Sequence, residues 1–206
     1  MSLPHHELPR VPTITVGLHP HPFGPDAATP GGGPVGRVLA TMYAPAEGGA
    51  VFEFHLEDCR LDALKIPPAQ PPGPTDGLWR HTCFEAFLGV PGEDRYHEFN
   101  FSPSGQWAAY AFRAWRERIA NFHPGAEPQL RCARRDDGLV LEARIPAALL
   151  PAVPAGTELP VGLAAVIERA NGQHEYWAVR HVAAQPDFHA RETFALRLTT
   201  AHREAG

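Results

Sequence analysis

Proline and glycine cut this chain into pieces too short for long helices. There are 23 Pro and 19 Gly. They gather between apolar runs, above all in residues 19–34 (HPHPFGPDAATPGGGP) and 66–77 (IPPAQPPGPTDG). Proline has no backbone N–H to donate and pushes the residue before it out of helical geometry. Both stretches therefore read as surface loops, the second partly extended like polyproline. Between the breaks the sequence alternates with a period of two. Residues 51–57 set Phe52, Phe54 and Leu56 against Glu53, His55 and Glu57. Residues 139–145 oppose Leu139, Leu141, Ala143 and Ile145 to Glu142 and Arg144, and residues 192–199 oppose Phe194, Leu196 and Leu198 to Thr193 and Arg197. Each pattern predicts a half-buried strand. Residues 161–167 are apolar on both faces and predict a central strand. Further strands are predicted at 13–18, 35–43, 79–90, 95–102, 106–113, 129–134 and 175–182. Residues 114–121 are predicted as a short helix and 146–150 as one turn, with Pro146 at its first position. This pattern predicts an all-β, antiparallel β-sandwich, with a closed barrel as the alternative.

At 206 residues the chain is expected to form one domain, with flexible tails at about 1–12 and 201–206. Hydrophobic residues make up 44% and charged residues 20%, enough to bury a core. The Pro-rich loops are connections inside that domain, because either side alone is too small to be stable. Net charge is −5 and no basic run exists, so nucleic acid is not an expected partner. No stretch approaches the roughly 18–20 apolar residues that span a bilayer, so no membrane partner is expected. The first 12 residues show no apolar h-region of a signal peptide, which predicts a cytoplasmic protein. Cys59, Cys83 and Cys132 form no CxxC motif and are expected to be three reduced thiols. One disulfide plus one free thiol is the alternative for an exported chain. Nothing in the sequence specifies an oligomeric state.

The residues able to carry chemistry are densest between 79 and 112. Alternation over 79–90 gives an apolar face of Phe84, Ala86 and Leu88, and a mixed face of Trp79, His81, Cys83, Glu85 and Phe87. A core face would not hold Glu85 without a partner, because an unpaired buried charge is costly. The next strand carries Tyr96, Glu98, Asn100 and Ser102 on one face. The turn Ser102-Pro103-Ser104-Gly105 makes a hairpin with residues 106–113, where Tyr110 and Phe112 share a face and Trp107 takes the other. Glu85 and Glu98 form a carboxylate pair of the glycosidase type only if the register brings their faces together. There is no GxSxG elbow, P-loop or GxGxxG before a helix, so an enzyme is not the favoured reading.

This block resembles the DOMON-like domains grouped with family 9 carbohydrate-binding modules. The likeness rests on Trp79, the C-F-E-A-F-L strand with Glu85, the Y-H-E-F-N-F-S-P-S-G hairpin, W-A-A-Y-A-F, and a C-terminal P-D-F-H at Pro186–His189 like that of small stand-alone bacterial members. It spans roughly residues 35–198. The resemblance implies a jelly-roll-like β-sandwich with a ligand on the concave face or at one end of a sheet. Aromatic rings would stack on sugar faces, and Asn, Glu and Arg would bond the hydroxyls. Trp79, Glu85 and Asn100 match polar or aromatic positions of the family block.

The expected function is non-catalytic binding of a small polar or carbohydrate-like ligand. Trp79, His81, Glu85, Asn100, Tyr110 and His189 are expected to line the site, with Trp177 and Arg144 behind them. Structural readings compete at each position: a hydrogen-bond network for Glu85 and Asn100, core packing for Trp79 and Trp177, an ion pair with Glu85 or Glu142 for Arg144, and a turn role for Asp187. The first alternative is a haem- or metal-binding redox domain using His81 or His189. The chain has 12 His, but no HExxH and no close ligand spacing. A metal would have to gather His81, His97, His181 or His189 from distant strands. Haem remains open but disfavoured: there is no CxxCH, and Met42 alternates with Val38 and Ala40 as a core residue would. The second alternative is a protein-interaction module without a pocket.

Overall fold

In the computed structural model, which describes residues 12–22 and 36–201, nearly all regular structure is strand and there is no α-helix. In chain order the strands are β1 (Ile14–Pro20), β2 (Arg37–Tyr43), β3 (Ala50–Glu57), β4 (Gly73–Pro74), β5 (Cys83–Gly89), β6 (Tyr96–Phe101) and β7 (Gln106–Ala114). There follow β8 (Glu117–Arg118), β9 (Gln129–Arg135), β10 (Gly138–Ile145), β11 (Glu158–Glu168), β12 (His174–Ala178) and β13 (Leu196–Thr199). One layer runs β1-β2-β3-β10-β9. The other runs β4-β7-β6-β5-β11-β12, with β8 beside β7 and β13 beside β11. Pairings are antiparallel except for the short β4–β7 contact. The predicted antiparallel β-sandwich is therefore the observed architecture.

Alternation explains the core. Phe52, Phe54 and Leu56 of β3 and Leu139, Leu141 and Ala143 of β10 point inward and are buried. They meet Phe84, Ala86 and Leu88 of β5 and Phe99 and Phe101 of β6. The layers touch through rings: Phe54 stacks on Phe84 at 5.0 Å and Phe52 on Phe101 at 6.3 Å. Met42 lies in this inter-layer core. The centrality read from residues 161–167 holds, since β11 carries β5 on one edge and β12 and then β13 on the other.

Three local expectations are corrected. Residues 114–121 are not a helix. The chain turns at Arg116, with φ 55°, and β8 runs back along β7. The turn is anchored by tertiary contacts: the Arg116 N–H donates to the Tyr96 hydroxyl, and its guanidinium meets Asp187. Such contacts outweigh a weak helical period. Strand 79–90 shortens to β5, because Leu78–Arg80 is a 3-10 turn entered through Gly77 at φ 79°. Strand 192–199 shortens to β13, and Arg191–Thr193 forms another 3-10 turn. Phe194 and Leu198 thus fall in different apolar clusters on opposite sides of the second layer. The turn predicted at 146–150 is present as a 3-10 turn at Ala147–Leu149, with Pro146 just before it. The bulk of the expected tails and most of the 19–34 loop lie outside the described residues, whereas His19 and Pro20 extend β1.

Candidate functional site

The outer face of the second layer is unusual for a sandwich because it is itself covered. Register places Glu85 opposite Asn100, and Glu98 between Phe87 and Tyr110. With Cys83, Tyr96 and Phe112 these side chains share one face, as period-2 geometry requires. A segment preceding β13 crosses that face. Phe194 stacks on Phe87 at 5.7 Å over Gly162, where a Cβ would lie 2.9 Å from the Phe194 ring. Arg191 lies where a side chain on Gly89 would stand, and its Nη2 donates to the carbonyls of Val90 and Glu93. The two glycines serve here by having no side chain. Beside this cover a cleft of about 390 Å³ remains open. Glu85 and Glu98 form its floor. Trp79, Tyr110, Phe112, Tyr176 and Phe188 supply aromatic walls, and Arg116, Arg118 and His189 also reach it.

The floor is buried and acidic. Glu85 is 3% exposed and Glu98 5%. Burial pushes the Glu85 carboxyl well above the usual carboxylate range, and the neighbouring Glu98 adds to the effect against the pull of Arg116. Among the described residues the Glu85 carboxyl accepts no hydrogen bond. Burial also raises Glu98, to about 7, although Asn100 Nδ2 donates to its Oε1 at 2.8 Å. Asn100 Oδ1 is buried with no partner among the described residues.

His189 closes one end. The Tyr96 hydroxyl accepts from the Arg116 N–H at 3.1 Å and shares a hydrogen bond of 2.8 Å with His189 Nδ1. His189 Nε2 lies 3.7 Å from Glu98 Oε2. Burial, helped by the Arg116 charge, lowers His189 to about 4. The cations at the cleft are already matched: Arg116 pairs with Asp187 at 2.9 Å, and Arg118 lies 3.4 Å from Asp76 and 3.9 Å over the Tyr110 ring. Tyr110 donates to the same Asp76 at 2.5 Å. Despite partial burial, Asp187 is held below its ordinary range by Trp115 and Arg116.

These shifts make stability depend on pH. Between pH 4.5 and 7 the folded chain keeps the Glu98 proton that the unfolded chain has lost, so stability falls as pH rises through that window. His189 acts oppositely: between pH 6.5 and 4 the unfolded chain binds a proton that the folded chain refuses, so stability falls as pH drops. Above pH 6.5 the His189 contribution is gone. The Glu98→Gln variant should therefore lose less stability than the parent between pH 6 and 8. The difference should be on the order of 1 kcal/mol, read as melting temperature across that range. Equal slopes for the two proteins would show that Glu98 ionises freely.

The structure brings together Trp79, Glu85, Tyr110 and His189 around the cleft, whereas Asn100, expected to line it, is fully buried beside Glu85 and Glu98 and does not. Trp79 arrives from the Leu78–Arg80 turn rather than along the strand, and it is 39% exposed. His81 turns away: its side chain is 64% exposed and its Nδ1 lies 2.8 Å from Glu168. The reason is that the strand alternation begins only at Cys83. Trp177 points to the inter-layer core behind the floor, and its Nε1 donates to Glu175 at 3.0 Å. Arg144 lies on the first layer, opposed to inward Ala143 and Ile145, and pairs with Glu142. It is on the far side of the sandwich from the cleft. Asp187 accepts from the His189 N–H as a turn residue does, but also holds Trp115 and Arg116. Sequence reading missed Phe112, Arg116, Arg118, Tyr176 and Phe188 as cleft residues. The first shares a strand face with Tyr110, a signal that was available. The others come from the 116–118 turn, from β12 and from the stretch before His189, with no common periodicity to reveal them. Among the described residues no three His, Cys, Asp or Glu side chains group as a metal cage, and all three cysteines are free thiols.

No protein-family model matches the sequence, and no curated protein matches it. Solved structures do. A protein of Bacteroides uniformis to which carbohydrate binding has been ascribed superposes with a TM-score of 0.60 at 16% identity, over 88% of this chain and 85% of that one. A family 9 carbohydrate-binding module of Caldicellulosiruptor kristjanssonii, in complex with glucose, superposes with a TM-score of 0.53 at 10% identity, over 92% of this chain and 87% of that one. What these likenesses establish is the fold: an antiparallel β-sandwich of the architecture seen in family 9 carbohydrate-binding modules.

Proposed function

We propose that the protein binds a small carbohydrate-like ligand in the cleft over β5, β6 and β7, without catalysing its conversion. The observation that carries this reading is the cleft itself: about 390 Å³, aromatic on its walls and carboxylic on its floor. The volume is that of a small-molecule site. Rings offer flat apolar surfaces to the C–H faces of a sugar, and buried polar groups offer orientation. Trp79 is the ring best exposed to a guest and touches Tyr110 edge-on at 6.1 Å. The fold likeness to modules solved with sugar supports the same reading. Within this architecture we place the chain among the DOMON-like domains, on the strength of the 79–112 block.

Trp79→Ala should weaken glucose binding about tenfold in calorimetric titration and move the melting temperature by less than about 2 °C. A large loss of stability with unchanged affinity would make Trp79 a packing residue and remove the ring from the site. Glucose that neither binds nor raises the melting temperature of the parent protein at high millimolar concentration would count against the reading itself.

A further inference from the structure

We propose that the cleft selects a ligand carrying a protonated amine, with the ammonium received by Glu85 and Glu98 and the rest of the molecule against the aromatic walls. On the carbohydrate reading above, on which this rests, that ligand is an amino sugar. With its carboxyls ionised the floor offers acceptors only. Glu85, nine-tenths buried and lining the cleft, has no hydrogen bond among the described residues. Glu98 uses one oxygen for Asn100, while its other oxygen meets only His189, at a distance too long for a hydrogen bond. Asn100 Oδ1 is also a buried acceptor without a partner. An ammonium is three donors and no acceptor, whereas a hydroxyl brings one donor and adds an acceptor.

Charge points the same way. Arg116 and Arg118 are matched by Asp187 and Asp76. The two floor carboxyls have no cation of their own, and burial raises both above the usual carboxylate range. A cationic guest would supply the missing charge, and the ring faces around it favour cations. The carboxyls would then ionise and release protons to solvent. The other titratable groups facing them do not take up that proton. Tyr96 and Tyr110 are raised by burial, His189 is lowered, and Cys83 beside Glu85 on β5 is raised. Asp76 and Asp187 are held ionised by their hydrogen bonds to Tyr110 and to Trp115 and Arg116.

The test is calorimetric titration of the parent protein and of Glu85→Gln with D-glucosamine, D-glucose, N-acetyl-D-glucosamine and cyclohexylamine. Titrations at pH 6.5 in buffers of different ionisation enthalpy read the proton release. The expected result is at least tenfold tighter binding of glucosamine than of the two neutral sugars, with protons released. In Glu85→Gln the preference for glucosamine over the neutral sugars should shrink to under twofold, with no proton release. Equal binding of the three sugars without proton release overturns the amine inference and leaves the carbohydrate reading standing. Binding of cyclohexylamine alone, lost in Glu85→Gln, sustains the inference and overturns the carbohydrate reading. Binding of none overturns both.

Discussion

Replacing Phe54 with alanine should cost about 3–5 kcal/mol of folding stability, a fall of roughly 10 °C in melting temperature. Phe54 is fully buried on β3, the strand held between β2 and β10. Its ring stacks on Phe84 at 5.0 Å and meets Phe101 at 6.4 Å, so it joins the two layers. The walls of the resulting void would belong to strands hydrogen-bonded on both sides, and such walls cannot collapse far. The cost therefore lies near the top of the range for a deleted aromatic. Urea unfolding measures it directly, with Val182→Ala, at an exposed position, as a control expected to change little. A cost below about 1.5 kcal/mol would mean that the layers slide together and that the ring contacts are not what fixes their spacing.

The second large effect is expected at Glu175→Ala, again about 3–5 kcal/mol. Glu175 faces inward on β12, and its Oε1 receives Arg169 Nε at 2.7 Å and Nη2 at 2.5 Å, while its Oε2 receives Trp177 Nε1 at 3.0 Å. Both charged side chains are less than a tenth exposed. Removing the carboxylate takes the paired charge from a guanidinium in a medium that solvates it poorly, and also takes the acceptor from an indole N–H. Replacing both charges, in Arg169→Met with Glu175→Leu, should recover much of the loss, because the desolvation of two ions disappears along with their attraction. A double-mutant cycle in denaturant reads the coupling. A double variant no more stable than Glu175→Ala would mean that the ion pair contributes beyond its own solvation.

The architecture was legible where one face of a strand meets the core and the other meets water. β3 and β10 fit this description, and their alternation was read almost to the residue. Legibility failed where the chain changes face. Phe194 looks like a continuation of β13, yet it crosses to the outer side because Gly162 leaves a ring-sized space there. No periodicity announces a space made by a missing Cβ on another strand. The reading of 114–121 as helix failed for a related reason, since the Arg116 turn is set by Tyr96 and Asp187, distant in sequence. At the cleft, Glu85 and Asn100 stood out because they are polar on strands that are otherwise apolar. The relation of Glu98 to Glu85 depended on register, and register is a property of pairing, which one strand alone does not carry. The matched charges around Arg116 and Arg118 were invisible because each pair joins separate segments.

β1 is shared between the layers. Its residues Ile14–Leu18 pair with β2, while His19 and Pro20 pair with Ala178 and Trp177 of β12. It works as a clasp at the corner of the sandwich. Trimming the chain back to residue 21 would uncover the flank of β2 and the flank of β12 together, two adjoining rows of unsatisfied amides and carbonyls. Such bared ladders invite pairing with another molecule. A shortened protein would lose Leu18 from its core and would be driven toward self-association.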